Sequence, residues 1–156
     1  SLGGLLSLVL AQRQRVDALV VVGTPLVLRQ PVPLLVPLLK RIVPMLRKRT
    51  GSDIRDPQAR ARHPSYDRMP LAAVHELMRL QRSVRSRLAQ VTAPTLVAHG
   101  HFDTTAHPRD AARIHKEISA SEREILILPS SAHVVPVDFD GPQLSEASAA
   151  FLSRHA

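Results

Sequence analysis

The chain opens on Ser1-Leu2-Gly3-Gly4, and an apolar run from Leu5 to Ala11 follows directly. This order matches the second half of a G-x-S-x-G nucleophile elbow, in which a serine stands on a tight turn between a strand and a helix. A glycine is expected two positions after the serine, because a side chain there would clash in such a turn. The first N–H groups of the helix would then face the turn and stabilise negative charge. Taken alone, the stretch favours a small, flexible chain start or a helix N-cap over a nucleophile elbow.

The overall composition favours a folded domain and excludes several kinds of chemistry. The chain has 156 residues, of which 44% are hydrophobic, and it contains no cysteine, which excludes disulfides, thiolate metal sites and a cysteine nucleophile. Its formal net charge is +8, from 21 Lys and Arg against 13 Asp and Glu. The cations are spread over several segments and aromatic residues make up only 3%, so we expect a solvated basic surface and no nucleic-acid partner.

The rest of the chain alternates between predicted strands and helices. Three apolar segments predict strands: Val16–Val22, Thr95–His99 and Glu124–Leu128. The first is continuous and rich in β-branched residues, as expected for a strand covered on both faces. Apolar residues at helical spacing, with proline or glycine punctuation, predict helices over residues 2–14, 71–90, 108–118 and 142–155. This alternation is typical of an α/β fold, in which right-handed crossovers build a parallel sheet flanked by helices.

One region interrupts the alternation. Residues 25–69 contain seven prolines, of which Pro31, Pro33, Pro37 and Pro44 stand among Leu and Val beside clusters of Lys and Arg, and such a density of proline breaks long helices into short ones. Because the region is inserted between a strand and a long helix, we predict a small helical cap over a cleft, with a short helix near Arg55–Arg62. An amphipathic segment on a membrane surface is the competing interpretation. The predicted organisation is core 1–24, cap 25–69 and core 70–156.

Three strands leave one edge and much of an apolar face uncovered. The chain also begins inside its own motif and without an initiator methionine. We therefore expect the earlier strands to lie in a missing N-terminal half that completes the fold, or in a second chain. No spanning helix or secretory signal is visible, which predicts no stable membrane insertion and a cytoplasmic location.

Polar residues follow two of the predicted strands at their C-terminal ends, where parallel sheets carry their ligands and catalytic groups. Asp103 follows the strand that ends near His99, and His133 follows the strand that ends at Leu128. With Ser1, the order Ser, Asp, His is that of a hydrolytic triad. Ser1 would be the nucleophile, His133 its general base, and Asp103 the group that orients the imidazole. The N–H of Leu2 would be one oxyanion-hole donor.

Other interpretations of these residues remain open. Asp103 also suits a turn or a helix cap. His99 and His101 stand close to Asp103 and raise the possibility of a metal site, but the spacing lacks a supporting ligand cluster, so we predict neither a metal nor a cofactor. Asp138 and Asp140 are rival acids that follow His133, where a helix cap is expected.

Three motifs carry a resemblance to a known family: Ser1-Leu2-Gly3-Gly4, Gly100-His101-Phe102-Asp103 and Ser131-Ala132-His133-Val134-Val135. In these motifs the sequence resembles the α/β-hydrolases, and more narrowly the small-cap bacterial carboxylesterases and monoacylglycerol lipases. The resemblance covers nearly the whole chain. It implies an α/β-hydrolase fold with a short helical cap from about Pro25 to Tyr66.

The resemblance also implies a function. It points to a serine carboxylester hydrolase whose triad is Ser1, His133 and Asp103, with the N–H of Leu2 in the oxyanion hole. The implied substrate is a small-molecule ester or lipid with a short or medium acyl chain, such as a monoacylglycerol. Two alternatives remain: another reaction of the same fold (acyl transfer, perhydrolysis or carbon–carbon bond hydrolysis) and a non-catalytic basic fragment that binds a lipid, a partner or nucleic acid.

Overall fold

The computed structural model of the protein describes residues 1–28, 36, 43–47, 51–66 and 68–155. Outside the inserted region of residues 25–69, the described helices and strands alternate as the sequence predicts. In chain order they are α1 (Leu2–Ala11), β1 (Leu19–Val22), β2 (Met45–Arg47), α2 (Pro57–Arg62), β3 (Arg68–Pro70), α3 (Leu71–Arg85), β4 (Thr95–Gly100), α4 (Pro108–Glu117), β5 (Arg123–Leu128) and α5 (Gly141–Ser153). Two 3-10 turns lie at Leu88–Gln90 and Val135–Val137.

The central sheet has the order β1-β4-β5, and both pairs of strands are parallel. Thr95 of β4 lies opposite Leu19 of β1 on one side and opposite Arg123 of β5 on the other. Every residue of β4 is buried, as expected for the middle strand of a sheet covered on both faces. The predicted parallel sheet is therefore confirmed, although β1 begins at Leu19 and not at Val16.

Helices cover both faces of this sheet. On one face, α1, α3 and α4 pack against β1 and β4 through buried aliphatic side chains: Leu5, Leu8, Val21, Val84, Val97 and Ile114. On the other face, Leu144 of α5 packs with Ala98 and Leu128. Because Val97 and Ala98 are consecutive, they point to opposite faces, and the two hydrophobic clusters together fix β4 in the centre.

The predicted helical cap over residues 25–69 is only partly described, because 29–35, 37–42, 48–50 and 67 lie outside the described residues. The described part contains an antiparallel ribbon that the sequence did not predict, in which β2 pairs with β3 and Leu46 lies opposite Met69. Prolines beside both strands favour extended backbone, and strands of three residues are too short to produce a readable periodicity.

The short helix predicted near Arg55–Arg62 is present as α2. Asp56 caps its start by accepting hydrogen bonds from the N–H groups of Gln58 (2.8 Å) and Ala59 (3.4 Å), and Pro57 occupies the first helical position. Among the described residues, no helix has the length and hydropathy needed to cross a bilayer.

Candidate active site

Ser1 stands at the C-terminal edge of the sheet, immediately before α1. Its backbone nitrogen donates a hydrogen bond to the carbonyl of Val22, the last residue of β1, at 2.8 Å. Ser1 is exposed and its side chain makes no capping bond to the helix. The N–H of Leu2, as the first residue of α1, has no intrahelical acceptor. The start of α1 is thus held against the end of β1 with the serine side chain uncommitted to the helix.

Asp103 and His133 meet beyond the ends of β4 and β5. The Nδ1 atom of His133 lies 2.8 Å from Oδ2 of Asp103, which is 3% exposed. Because a carboxylate only accepts hydrogen bonds, Nδ1 of His133 carries the proton of this contact, and Nε2 is the ring nitrogen that Asp103 does not engage. The second carboxylate oxygen accepts the N–H groups of Thr105 (2.8 Å) and Ala106 (2.7 Å), which fixes the orientation of the carboxylate.

These contacts also determine the charge of Asp103. Burial acts to raise its pKa, but the contacts with the imidazoles of His133 and His99 and the hydrogen bond from the N–H of Ala106 outweigh it, so the pKa lies well below the ordinary value of 3.8. Asp103 is therefore ionised at neutral pH. An ionised carboxylate in this position can fix the imidazole tautomer and stabilise an imidazolium.

A second histidine contacts the same carboxylate. His99, which is fully buried in β4, has its Nε2 atom 2.9 Å from Oδ2 of Asp103, although its N–H is not aimed directly at that oxygen. Its Nδ1 atom has no hydrogen-bond partner among the described residues. Sequence reasoning treated His99 as a possible metal ligand. The i, i+4 spacing across the end of a strand was the available signal that His99 lies against Asp103 instead.

Two glycines allow the histidine loop, residues 130–134, to lie against the strand ends. Gly23 has a φ of +53°, which favours glycine, and a Cβ there would lie 3.4 Å from Nδ1 of His133. A Cβ on Gly100 would lie only 2.0 Å from the carbonyl oxygen of Ala132. His133 therefore lies beside Gly23, and the backbone nitrogen of Ser1 is hydrogen-bonded to Val22, the residue before Gly23. These contacts bring Ser1, Asp103 and His133 to one edge of the sheet.

The close approach predicted at Gly3 is found one residue later. A Cβ on Gly3 would meet no described atom within 4 Å, so the expected clash at this position is wrong for the described part of the chain. A Cβ on Gly4 would lie 2.0 Å from Oγ1 of Thr24. Gly4 thus allows α1 to pack closely against the residues that follow β1.

The rival carboxylates bind backbone groups. Asp138 is 5% exposed and accepts four N–H groups, from Ala132, Arg55, Asp56 and Phe139. Burial acts to raise the pKa of Asp138, but these N–H groups lower it below the ordinary value. Asp140 accepts the N–H of Ser130 at 2.8 Å. Both residues organise the histidine loop, and the described residues contain no cluster of three His, Cys, Asp or Glu side chains suited to a metal ion.

The sequence and the fold are similar to known lipolytic enzymes. Over 106 residues the chain is 32% identical to the thermostable monoacylglycerol lipase of Bacillus sp. strain H-257, a match that covers 68% of this chain and 42% of that protein. A solved structure of the metagenome-derived lipolytic enzymes LipS and LipT superposes with a TM-score of 0.91 at 25% identity, over 99% of this chain and 63% of that one.

A more distant structure supports the same fold. The monoacylglycerol lipase of Paleococcus ferrophilus superposes with a TM-score of 0.87 at 21% identity, over 100% of this chain and 66% of that one. The chain thus spans less than half the length of the Bacillus enzyme and about two thirds of the solved structures. The sequence profile of Hydrolase_4, described as serine aminopeptidase, S33, matches residues 1–140. The chain therefore belongs to the Hydrolase_4 (serine aminopeptidase, S33) family of α/β-hydrolases.

Proposed function

We propose that the protein is a serine carboxylester hydrolase that cleaves short- to medium-chain acyl esters or monoacylglycerols with a triad of Ser1, His133 and Asp103. The observation that carries the proposal is the 2.8 Å contact between Nδ1 of His133 and the buried carboxylate of Asp103, at the sheet edge where Ser1 begins α1. The names of the relatives support the substrate class, since two of them are monoacylglycerol lipases.

The proposed mechanism follows from the contact of Nδ1 of His133 with Asp103, which leaves Nε2 to act on Ser1. Nε2 of His133 takes the hydroxyl proton of Ser1 as Oγ attacks the acyl carbon, and the N–H of Leu2 donates to the developing oxyanion. The imidazolium, stabilised by Asp103, then protonates the leaving alkoxide and leaves an acyl-enzyme on Ser1. Water activated by the same His133 nitrogen attacks the acyl carbon, which releases the carboxylic acid and restores the serine.

The family description names an aminopeptidase, and amide hydrolysis would use the same three side chains. We place esters first because the relatives with the greater likeness are named as lipases or lipolytic enzymes. The two substrate classes differ in the leaving group, since an amine must be protonated before it departs whereas an alkoxide is a better leaving group. A direct comparison of ester and amide substrates therefore distinguishes them.

The test uses the full-length protein, a fluorophosphonate probe and three substrates: p-nitrophenyl butyrate, a 1-monoacylglycerol and an aminoacyl p-nitroanilide. We expect labelling at Ser1 and a loss of ester turnover of at least about 1,000-fold in Ser1→Ala and His133→Ala. Ser7→Ala, which removes another hydroxyl from α1, is the matched control and should retain labelling and turnover. Labelling that survives Ser1→Ala, or faster cleavage of the anilide than of either ester, would contradict the proposal.

A further inference from the structure

Asp53 contacts both loops of the proposed triad, and it comes from the inserted region of residues 25–69. We propose that Asp53 is a positioning residue that holds the acid loop, residues 103–106, and the histidine loop, residues 130–134, at the separation that lets His133 meet Asp103. This inference rests on the proposed function, because it concerns the same triad. Sequence reasoning gave Asp53 no role.

The side chain of Asp53 binds the acid loop. Its Oδ2 atom accepts the N–H (2.8 Å) and the hydroxyl (2.9 Å) of Thr104, and also the N–H (3.0 Å) and the hydroxyl (2.9 Å) of Thr105. The N–H of Thr105 is shared, because it also lies 2.8 Å from Oδ1 of Asp103. Asp53 therefore holds the same peptide group that orients the triad carboxylate.

The main chain of Asp53 binds the histidine loop. Its carbonyl oxygen accepts the N–H of His133 at 3.0 Å and the N–H of Val134 at 3.2 Å. One residue thus bonds to the backbone of His133 and, through its side chain, to the residues directly after Asp103. Because both loops are fixed to the same residue, their relative position depends on it.

The residues after Asp53 are anchored independently of its side chain. Ile54 is fully buried, and Asp138 accepts the N–H groups of Arg55 (2.9 Å) and Asp56 (2.9 Å). Removal of the Asp53 carboxylate should therefore leave the segment and its carbonyl in place and release only the acid loop. The hydrogen bonds to Thr104 and Thr105 are exposed, so water can replace them and the cost to folding is small. The effect should appear in turnover, where small displacements of a catalytic group matter most.

The experiment compares Asp53→Ala, Asp53→Asn and the control Asp56→Ala in the full-length protein. Asp56→Ala makes the same substitution in the same segment and removes the N-cap of α2, whose side-chain hydrogen bonds in the described part of the chain go to Gln58 and Ala59 and not to either loop. For p-nitrophenyl butyrate we expect Asp53→Ala to lower kcat about 10- to 100-fold and to change KM less than about threefold. Asp53→Asn should recover a large part of kcat, because an amide oxygen still accepts the two N–H groups. Asp56→Ala should lower Tm and keep kcat.

A second measurement does not require turnover. The Nδ1 proton of His133 is followed by NMR, and Asp53→Ala should shift or broaden its resonance whereas Asp56→Ala should not. If Asp53→Ala does not fold, the double variant Thr104→Val/Thr105→Val removes the two hydroxyl donors only and should give a smaller loss of kcat.

An unchanged kcat and an unchanged Nδ1 resonance in Asp53→Ala would overturn the positioning role, as would an equal loss of kcat in Asp56→Ala. An unchanged kcat in the double valine variant would overturn it where Asp53→Ala does not fold. Failure of the proposed function has a different signature, because the parent protein would then be inactive on all esters and unlabelled at Ser1. The NMR comparison still tests the role of Asp53 in that case.

Discussion

The buried carboxylate of Asp138 joins the histidine loop to the segment before α2, and it offers a test of what holds the site together. Its Oδ2 atom accepts the N–H groups of Ala132 (2.8 Å) and Arg55 (2.9 Å). Its Oδ1 atom accepts the N–H groups of Asp56 (2.9 Å) and Phe139 (3.0 Å). The substitution Asp138→Asn keeps the shape of the side chain but replaces one oxygen with an NH2 group.

The structure determines the size of the expected effect. The amide oxygen of the variant can keep two of the four hydrogen bonds, but the NH2 group faces two backbone N–H donors and accepts neither. A hydrogen bond to a charged group contributes about 1.5 kcal/mol or more, so the loss of two predicts a destabilisation of about 3 kcal/mol. Because Asp138 is 5% exposed, water does not replace the lost bonds easily. For a protein of roughly 150–250 residues this corresponds to a decrease in Tm of about 6–12 °C.

The assay is urea unfolding near neutral pH, with Asp140→Asn as the matched control. Among the described residues the Asp140 side chain accepts one N–H, that of Ser130, so its amide variant can keep the bond and should lose less than about 1 kcal/mol. Equal stability of the two variants would refute the reasoning.

The pH dependence gives a second check on the same substitution. Because the folded pKa of Asp138 is depressed, its stabilisation is present above the ordinary value of 3.8 and is lost as the pH falls through the folded pKa. The stability difference between the parent and Asp138→Asn should therefore be complete near neutral pH and shrink below about pH 3.8. A difference that grows on acidification would contradict this assignment.

Two further substitutions test the contacts between the loops and the sheet. Gly100→Ala places a Cβ 2.0 Å from the carbonyl of Ala132, so we expect it to lower Tm and ester turnover together, whereas Gly51→Ala, whose Cβ would meet no described atom within 4 Å, should change neither. His99→Leu removes the second imidazole from Asp103, and we expect kcat to fall about 10-fold at constant KM, with His99→Gln, which keeps an N–H donor, closer to the parent. Equal kcat values for His99→Leu and the parent would show that His133 and the backbone N–H groups orient the acid without His99.

The sheet could be predicted because each of its strands can be recognised from its local sequence. β1, β4 and β5 come from continuous apolar segments of strand length, and this composition predicts a strand whether or not both faces are covered. Every residue of β4 is buried, whereas in β5 only Leu128 is. The candidate site follows from the same fact, since residues directly after parallel strands must meet at one edge. Asp103 and His133 could therefore be paired without knowledge of any distance between them.

The β2–β3 ribbon and the contacts of His99 and Asp53 could not be predicted, because they depend on which residues meet in the fold and not on local composition. β2 and β3 are three-residue strands whose hydrogen-bond partners lie far along the chain, so no local period reports them. His99 occupies a buried strand position where an apolar residue would fit the pattern equally well. The presence of a histidine there is explained by its contact with Asp103, which the sequence pattern does not reveal. In sequence, Asp53 is a polar residue between Ser52 and Ile54 in a region with no clear period, and polar residues in loops are usually solvated.

The contacts of Asp53 and Asp138 change how the inserted region relates to the site. A cap that only covers a cleft would touch substrate and leave the triad independent of it. Here the carbonyl of Asp53 binds the backbone of His133, and Asp138, four residues after Val134, binds the backbone of Arg55 in return. Because hydrogen bonds run from the histidine loop to Asp53 and from Arg55 to Asp138, the segment before α2 and the histidine loop form one structural unit. Substitutions in that segment that remove a contact with either loop should therefore act on kcat through the position of His133 and Asp103, and not only on KM through the fit of the substrate.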